Sequence, residues 1–284
     1  MTTVGTKAGA RLDSGAAHAG GAARARRWAM VAATRLGLLV VLLAAWQVAA
    51  TVQPNPHLPP PMSILDAARR LFVTGGAYLS PETAWLGNAL PTIARALAGF
   101  ALGSLWGVTL GVVVGLSRPF RVGTGWVIEF LRALPASAVL PLFIVVLGGT
   151  DAMRIAFIAW TLSLYLVINA AGGVASVEPT LILMGRSLRL RRAAIVRRII
   201  LPAALPQIFA GLRIGTNSAI ILAIVSELFV ASDGIGYQIR LTGSSFDYRA
   251  MWAWILLLSL VGVAINVVVE LVERRVLGWH RRSH

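Results

Sequence analysis

The chain has 284 residues, of which 57% are hydrophobic and 13% are charged. A soluble domain of this length needs far more polar surface, so the composition excludes a water-soluble globule and predicts a polytopic membrane protein. The absence of cysteine excludes disulfides, thiolate metal sites and a cysteine nucleophile.

Six apolar runs follow a polar N-terminus. Residues 1–29 are rich in Ala, Gly and Arg, and we predict a disordered basic cytoplasmic tail there, ahead of a transmembrane domain over residues 30–284. No convincing signal-peptidase site precedes Gln53, so the first run is predicted to be an uncleaved span. Each run can cross a core of ~30 Å, and none alternates like a barrel strand. The predicted spans lie near residues 36–52, 92–116, 123–147, 153–175, 207–231 and 250–272.

The basic residues predict the orientation of these spans. Most of the 26 lysines and arginines fall on one side, in the N-terminal tail, the 116–122 loop, the 176–206 loop and the C-terminal tail. We therefore predict an all-α protein with six transmembrane helices and both termini in the cytoplasm. Because the cations alternate with spans and form no single basic face, the net charge of +15 does not predict nucleic-acid binding.

The segment between the first two spans, residues 53–90, is Pro-rich at its start. A short amphipathic pattern follows, which predicts a helix along the outer membrane surface. Its apolar residues are Ile64, Leu65, Ala68, Leu71 and Phe72.

Glycine recurs every four residues along the second span. Such a stripe lets another helix approach closely, so we interpret it as packing and not as chemistry. The residues are Gly99, Gly103, Gly107, Gly111 and Gly115.

The third span carries Arg132 toward its inner end, followed by Pro135 and Pro141. A helix broken at these prolines would free backbone groups that line a cavity, which is one way to build a substrate site. Alternatively, Arg132 snorkels to the inner headgroups.

The long inner loop, residues 176–206, combines a helical pattern with two prolines. Pro179 suits a first helical turn, and isoleucines and valine share one face of a second helix whose other face is basic. We expect Pro202 and Pro206 to end that second helix, and the fifth span to restart at Pro206. Two interpretations stay open. In the first, the loop is a helix on the membrane surface, held against anionic lipid. In the second, it is a rigid helical segment that docks on a separate cytoplasmic protein.

ATP chemistry within this chain is excluded by its lysine content. A P-loop needs a lysine on the β- and γ-phosphates, and the one lysine is Lys7, in the tail. If ATP powers transport, the ATPase is therefore another polypeptide.

Polar residues within the fifth span cost free energy in lipid, so we expect each of them to be paired or functional. Glu227 is interpreted either as the partner of an arginine such as Arg95 or as a gate residue near the outer mouth. Asn217 and Ser218 cluster at mid-membrane and are either interhelical hydrogen-bonding groups or path residues. Asp233 to Tyr237 predicts a tight outer turn.

An enzyme is not predicted. The four histidines lie outside the spans, so neither a Ser-His hydrolase nor a histidine metal site is expected, and no cofactor is assigned to this chain. A secondary transporter or channel is not supported, because the predicted spans contain no chain of ionisable residues that could carry a coupling ion across the membrane. A scaffold protein is a third alternative.

Four blocks of the sequence resemble, in order, the nitrate/sulfonate/taurine-type group of ABC-importer permeases. They are "RALAGFALGSLWGVTLGVVVGLS", "FLRALPASAVLPLFIVVLG", "LPAALPQIFAGLRIG" and "SELFVASDGIGYQI". The 176–206 loop is similar to the EAA loop of that family, which ends in Leu-Pro-x-Ala-x-Pro. The resemblance implies the type I ABC-importer permease fold in a bacterial inner membrane. It also implies a homodimer, two ATPase subunits that use ATP and Mg, and an extracytoplasmic solute-binding protein.

The family's functional positions carry over to residues of this loop. Leu183 stands at the usual acidic residue, and Arg189 stands at the usual glycine, where a positive φ costs arginine more. Either the turn has moved to Gly185, or the ATPase groove accepts a bulkier, more basic knuckle. The residues assigned to ATPase coupling are Leu183, Gly185, Arg186, Ser187, Leu188, Arg189 and Arg192. The loop-to-span joint is Leu201, Pro202 and Pro206, and the translocation path is Arg132, Pro135, Asn217, Ser218 and Glu227.

The resemblance implies import of a small, anionic solute such as a sulfonate, taurine or nitrate. The same architecture also imports pyrimidine-type vitamin precursors and aromatic acids, which stay the alternative. Selectivity in this group rests largely with the binding protein.

Overall fold

The structure is a computed structural model that describes Met30, Thr34 and residues 36–76 and 79–276. The predicted tail, residues 1–29, lies outside the described residues. The chain divides into two compact units, residues 1–64 and 65–284. In the described part of the first unit, the run predicted as the first span forms helix α1, Leu36–Val52, which is apolar but shorter than the helices that could cross a membrane. Helix α2, Pro61–Arg69, begins in this unit and continues as a π-helical turn, Arg70–Thr74, at the amphipathic pattern found in the sequence.

The second unit is built from helices throughout its described residues. Two of these helices contain a π-helical turn, Trp85–Ala89 in α3 and Val196–Ile200 in α8. The helices are α3 Pro81–Leu116, α4 Arg118–Ala133, α5 Ala136–Leu147, α6 Asp151–Ala175, α7 Pro179–Ser187, α8 Arg192–Val230, α9 Ile235–Ser244 and α10 Tyr248–Val276.

Four of these helices, α3, α6, α8 and α10, are long and apolar enough to cross a membrane. The run predicted as the span over 123–147 forms two helices, because α4 and α5 meet at a bend of 92°, and the break expected at Pro135 is present. Counted as one broken span, the pair would be the fifth. The bend follows from Pro135, which holds the preceding residue, Leu134, in an extended conformation at ψ 125°. Pro141 lies inside α5 and does not break it.

The glycine stripe packs α3 directly against α6, as predicted. A Cβ on Gly107 would lie 2.7 Å from Leu166 Cβ, and one on Gly111 would lie 2.6 Å from Ala170 Cβ. All five glycines are buried and meet α6 residues in rising order, so the two helices run parallel. Close backbone approach of this kind is what small residues permit.

Helix α8 runs antiparallel to α6 and carries much of the core. Gly173 of α6 faces Gln207, whereas Leu162 faces Gly215. Around this contact the fully buried side chains include those of Met153 and Phe157. A core of this kind fixes α3, α6 and α8 as one packed group.

The two prolines of the inner loop do not end a helix, so that expectation is wrong. Helix α8 runs without a break through Pro202 and Pro206. The π-helical turn over Val196–Ile200 immediately precedes Leu201, and Pro202 therefore lies in the first turn of a new α-helical segment. A missing N–H costs little there. Leu201, Pro202 and Pro206 thus lie within one continuous helix, and their assignment as the joint between the loop and the fifth span stays a prediction.

Candidate functional site

Helix α7 lies across the start of α8 at one end of the second unit. It begins at Pro179, as predicted, with Glu178 at its N-cap. Gly185 is buried, and a Cβ there would lie 2.7 Å from Ile199 Cδ1 and 3.3 Å from Ile195 Cγ1. The backbone of α7 therefore packs closely against the side chains of Ile195 and Ile199 of α8.

The turn after α7 is a Schellman motif with Arg189 in the left-handed position. The N–H of Leu190 donates to the carbonyl of Gly185 at 3.1 Å, and the N–H of Arg189 donates to that of Arg186 at 2.9 Å. Arg189 has φ 53°. The turn has therefore not moved to Gly185; that alternative is wrong, and arginine itself adopts the conformation that glycine usually supplies.

Residues on the far side of α7 and its turn form an exposed, mixed apolar and basic surface, which we call the α7 surface. Leu188 is 66% exposed, and Leu183 and Met184 are also exposed. Arg186, Arg189 and Arg192 are exposed around them, whereas the Ser187 hydroxyl donates to the Leu183 carbonyl at 3.1 Å. Large apolar side chains beside cations at a membrane protein's polar end are typical of a surface that docks a partner.

The α7 surface is joined to the spans by a buried apolar cluster. Its members come from the end of α6, the link to α7 and the first part of α8, and the exposed fractions are below a tenth. They are Ala170, Val174, Val177, Ile195, Ile200, Ala204 and Ile208. Ile182 of α7 packs against this cluster, so α7 shares one apolar core with the adjoining ends of α6 and α8.

The opposite end of the second unit holds a buried ion cluster centred on Arg95. The Arg95 guanidinium donates from Nη1 to Glu227 Oε1 at 2.9 Å, from Nη2 to Asp233 Oδ2 at 2.8 Å and from Nε to Asp151 Oδ1 at 2.9 Å. The Asp151 carboxylate also accepts from Arg154, at 2.5 Å. One guanidinium thereby ties α3, α6, α8 and the turn before α9 together.

Glu227 is the most deeply buried carboxylate of this cluster, and its side chain is 0% exposed. Besides Arg95, its carboxylate accepts hydrogen bonds from the Thr92 hydroxyl and the Gly236 N–H, each at 2.9 Å. Thr92 in turn accepts the N–H of Ile235 at 2.8 Å. Of the two interpretations left open by the sequence, the ion pair with Arg95 is present; a gating role for Glu227 stays a prediction.

Two glycines let the chain after α8 close over Glu227. Gly234 has φ 103°, and a Cβ there would lie 2.5 Å from the Glu227 carboxylate. A Cβ on Gly236 would lie 2.7 Å from Glu227 Cβ. The tight turn expected over Asp233 to Tyr237 is shorter than predicted, because α9 already begins at Ile235.

The other predicted path residues are not brought to one place. Arg132 pairs with Glu129 at 3.4 Å near the α4–α5 bend, beside Pro135. Asn217 accepts a hydrogen bond from Asn266 of α10 at 2.5 Å, and Ser218 donates to Ile214 of its own helix at 3.1 Å. Asn217 and Glu227 share α8 but are separated by ~15 Å of helix rise.

Sequence reasoning missed Arg213 of α8. Its guanidinium pairs with Glu273 of α10, and its side chain is 51% exposed. The signal was available, because "AGLRIG" places a charge within an apolar run, and ionisable residues in spans are functional candidates by default.

Comparison with known proteins identifies the family. The profile of the family "Binding-protein-dependent transport system inner membrane component" matches residues 86–278. The taurine transport system permease protein TauC of Escherichia coli (strain K12) is 31% identical over 247 residues, covering 86% of this chain and 89% of that one. The putative aliphatic sulfonates transport permease protein SsuC of Bacillus subtilis (strain 168) is 31% identical, covering 86% and 87%. The nitrate import permease protein NrtB of Synechococcus elongatus is 28% identical, covering 84% and 87%.

Solved structures support the same fold. A chain of the methionine ABC transporter MetNI, in an inward-facing conformation, superposes with a TM-score of 0.60 at 20% identity, covering 70% of this chain and 99% of that chain. A chain of an amino acid ABC transporter gives 0.56 at 19% identity, covering 75% and 97%. The matching profile, the permease relatives and the shared fold have one explanation: this chain is a multi-pass inner-membrane permease of the binding-protein-dependent ABC transport family.

Proposed function

We propose that the chain is the membrane-spanning subunit of an ATP-driven importer and works as a homodimer with both termini in the cytoplasm. Two ATPase subunits, which bind ATP and Mg, dock on the α7 surfaces, and an extracytoplasmic binding protein delivers solute at the Arg95 end. The observation that carries the proposal is the exposed α7 surface, with Leu188 at its turn, fixed to α8 through the Gly185–Ile199 contact.

The transport mechanism follows from the stiffness of α8. Closure of the ATPases displaces α7, and the buried cluster around Ile195 and Ile200 passes that displacement to α8. The stretch Leu201–Val230 has 30 residues and is ~45 Å long. A tilt imposed at one end therefore moves Glu227 and the turn before α9 at the other. In this mechanism α8 transmits the movement, and ATP hydrolysis by the partner subunits supplies the energy.

The solute class is taken from the relatives. Their names specify taurine, aliphatic sulfonates and nitrate, which share a compact oxyanion group. A small anionic solute is therefore the proposed cargo.

Co-purification tests the docking surface. Leu188→Asp places a carboxylate on the α7 surface, and we expect at least a ten-fold loss of ATPase subunit recovered with the tagged chain, because an apolar anchor in a desolvated pocket is replaced by a charge. The measurement is the ratio of the two subunits after affinity purification in detergent.

Phe246→Asp is the matched control. Phe246 is 77% exposed in the turn between α9 and α10, away from α7. Recovery of the ATPase should be unchanged by this substitution. Full ATPase recovery with Leu188→Asp would remove the α7 surface as the docking site.

A further inference from the structure

The two parts of α10 are held in different ways. Its first third packs in a buried apolar cluster with Ile224 of α8 and Ile235 of α9. Within this cluster Trp254 is 0% exposed and Leu257 is 6% exposed. In contrast, none of the described residues 258–275 is buried. Apolar burial therefore anchors α10 near its N-terminal end.

The rest of α10 meets α8 through two polar pairs, which we call the clasp. Asn266 Nδ2 donates to Asn217 Oδ1 at 2.5 Å, and Arg213 forms an ion pair with Glu273. Two further arginines follow Glu273 at the end of α10, so this pair lies where the chain meets polar surroundings. Exposed ion pairs and single interhelical amide bonds contribute little to stability. The clasp can consequently open and close at a small cost in free energy.

Helix α8 has no comparable freedom. A Cβ on Gly211 would lie 2.8 Å from Asn169 Cβ of α6, and one on Gly215 would lie 3.5 Å from the Phe100 ring of α3. The Arg95 cluster ties the C-terminal end of α8 to the same two helices. Because α8 is packed in this way, opening of the clasp must move α10.

Gly262 separates the anchored part of α10 from the clasp. It is the one glycine of this helix, and a Cβ there would lie 3.9 Å from Ile220 Cδ1, so close packing does not require glycine. Glycine in a helix interior lowers helix stability relative to alanine. The Gly262 carbonyl also accepts a hydrogen bond from Asn266 Nδ2 at 3.0 Å. The weakest point of the helix is thus bonded to a member of the clasp.

We propose that Gly262 is a hinge about which the last part of α10 swings away from α8, and that the clasp holds this part reversibly in the position seen here. Leu271 lies ~13 Å along the helix from Gly262, so a swing of about 20° moves it by ~4–5 Å. The inference concerns the chain by itself and does not depend on the proposed docking of an ATPase.

The swing alters one side of the bundle. Arg213 and Asn217 come before Ile220 on α8, and the start of α8 packs on α7. Opening of the clasp therefore widens the bundle on the α7 side, whereas the buried cluster around Trp254 keeps the opposite side closed. Movement about a few hinge residues is a common basis of such transitions.

Pulsed EPR distances test the hinge, and the absence of native cysteine permits specific labelling. Spin labels on Ile214→Cys and Leu271→Cys, both exposed, report the separation of α8 from the end of α10. Labels on Phe229→Cys and Arg249→Cys, also exposed, report the anchored part. The labelled chain is mixed with an excess of unlabelled chain in lipid nanodiscs, so that distances between two copies do not contribute.

We expect two 214–271 distances and one 229–249 distance. Glu273→Arg places two arginines opposite each other and should raise the population ratio of the longer to the shorter 214–271 distance about five-fold. The double exchange Arg213→Glu with Glu273→Arg should restore the native distribution, because the ion pair is rebuilt with its signs reversed. Gly262→Ala should lower the ratio, since alanine strengthens the helix and has room beside Ile220.

Glu270→Arg is the matched control, because Glu270 pairs with Arg274 within α10, one turn from Glu273. It should shift the 214–271 distance much less than Glu273→Arg does. Equal shifts, or a double exchange that fails to restore the distribution, would overturn the clasp. A single 214–271 distance in every variant, or a 229–249 distance that changes with it, would overturn the hinge. Neither an ATPase nor a solute is present, so the result is independent of the Leu188→Asp experiment.

Discussion

Two non-glycine residues, Arg189 and Phe246, have a positive φ within the described parts of the chain. Both occupy the left-handed position of a Schellman motif, and the bonds that define the second are Phe246 N–H to Gly243 at 3.2 Å and Asp247 N–H to Thr242 at 2.9 Å. The backbone hydrogen bonds of the motif hold residues that would otherwise avoid this region. Sequence alone located the first turn at Arg189 through the family resemblance, but it left open a shift to Gly185.

Arg189→Gly is expected to stabilise the isolated chain by about 1 kcal/mol. Glycine reaches φ 53° without the Cβ conflict that arginine suffers. The measurement is thermal unfolding in detergent, and Arg189→Ala, which keeps a Cβ, should show no such gain. A melting temperature that does not rise with glycine would mean that the hydrogen-bonded turn, and not the residue, sets the strain.

At the scale of the elements, the spacing of the glycines predicted helix packing better than the prolines predicted helix breaks. The glycines of α3 recur at a helical spacing that leaves little choice except close packing, and α6 occupies that groove. Prolines predicted a helix break correctly at one position and wrongly at the others. Pro135 bends the chain by 92°, whereas Pro202 and Pro206 continue a helix, because the preceding π-helical turn and the packed neighbours accommodate their rings. Local rules could not distinguish these cases.

Gly107→Ala is expected to destabilise the chain by about 1–3 kcal/mol, because the added methyl would lie 2.7 Å from Leu166 Cβ and 2.8 Å from the Ser163 carbonyl. Thermal unfolding in the same detergent measures the change.

The companion variant for that measurement is Gly125→Ala in α4, where nothing lies within 4 Å of the new methyl. Glycine is a poor helix former, so this substitution should stabilise α4 by about 0.5–1 kcal/mol. Equal effects at the two sites would contradict the α3–α6 contact.

At the scale of the whole second unit, the Arg95 cluster was beyond the reach of sequence reasoning apart from the Glu227 pair. Its partners are 56 to 138 residues apart along the chain, and no periodicity connects them. Only the packing of α3 beside α6 and α8 brings them together. The placement of the α7 surface, by contrast, followed from the resemblance, since the loop motif is continuous in sequence.

Arg95→Gln is expected to destabilise the chain by about 3–5 kcal/mol. Glu227 would keep its buried charge without the guanidinium that balances it, and removing one partner of a buried pair carries that cost. Arg132→Gln, at an exposed pair with Glu129, should cost less than about 1 kcal/mol. Unfolding curves of the two variants provide the comparison. Similar losses in the free energy of unfolding would argue that the Arg95 cluster is as accessible to water as the exposed pair on α4.

The one-to-one match between the α3 glycines and α6 also limits how this region can change in length. Each residue turns a helix by about 100°, so deleting a single residue between Gly99 and Gly115 would swing part of the glycine row away from Ile158 and its successors. Bulky neighbours such as Trp106 and Leu110 would then face α6 instead. Residues between the glycines can be exchanged, but insertions and deletions are tolerable only outside the row.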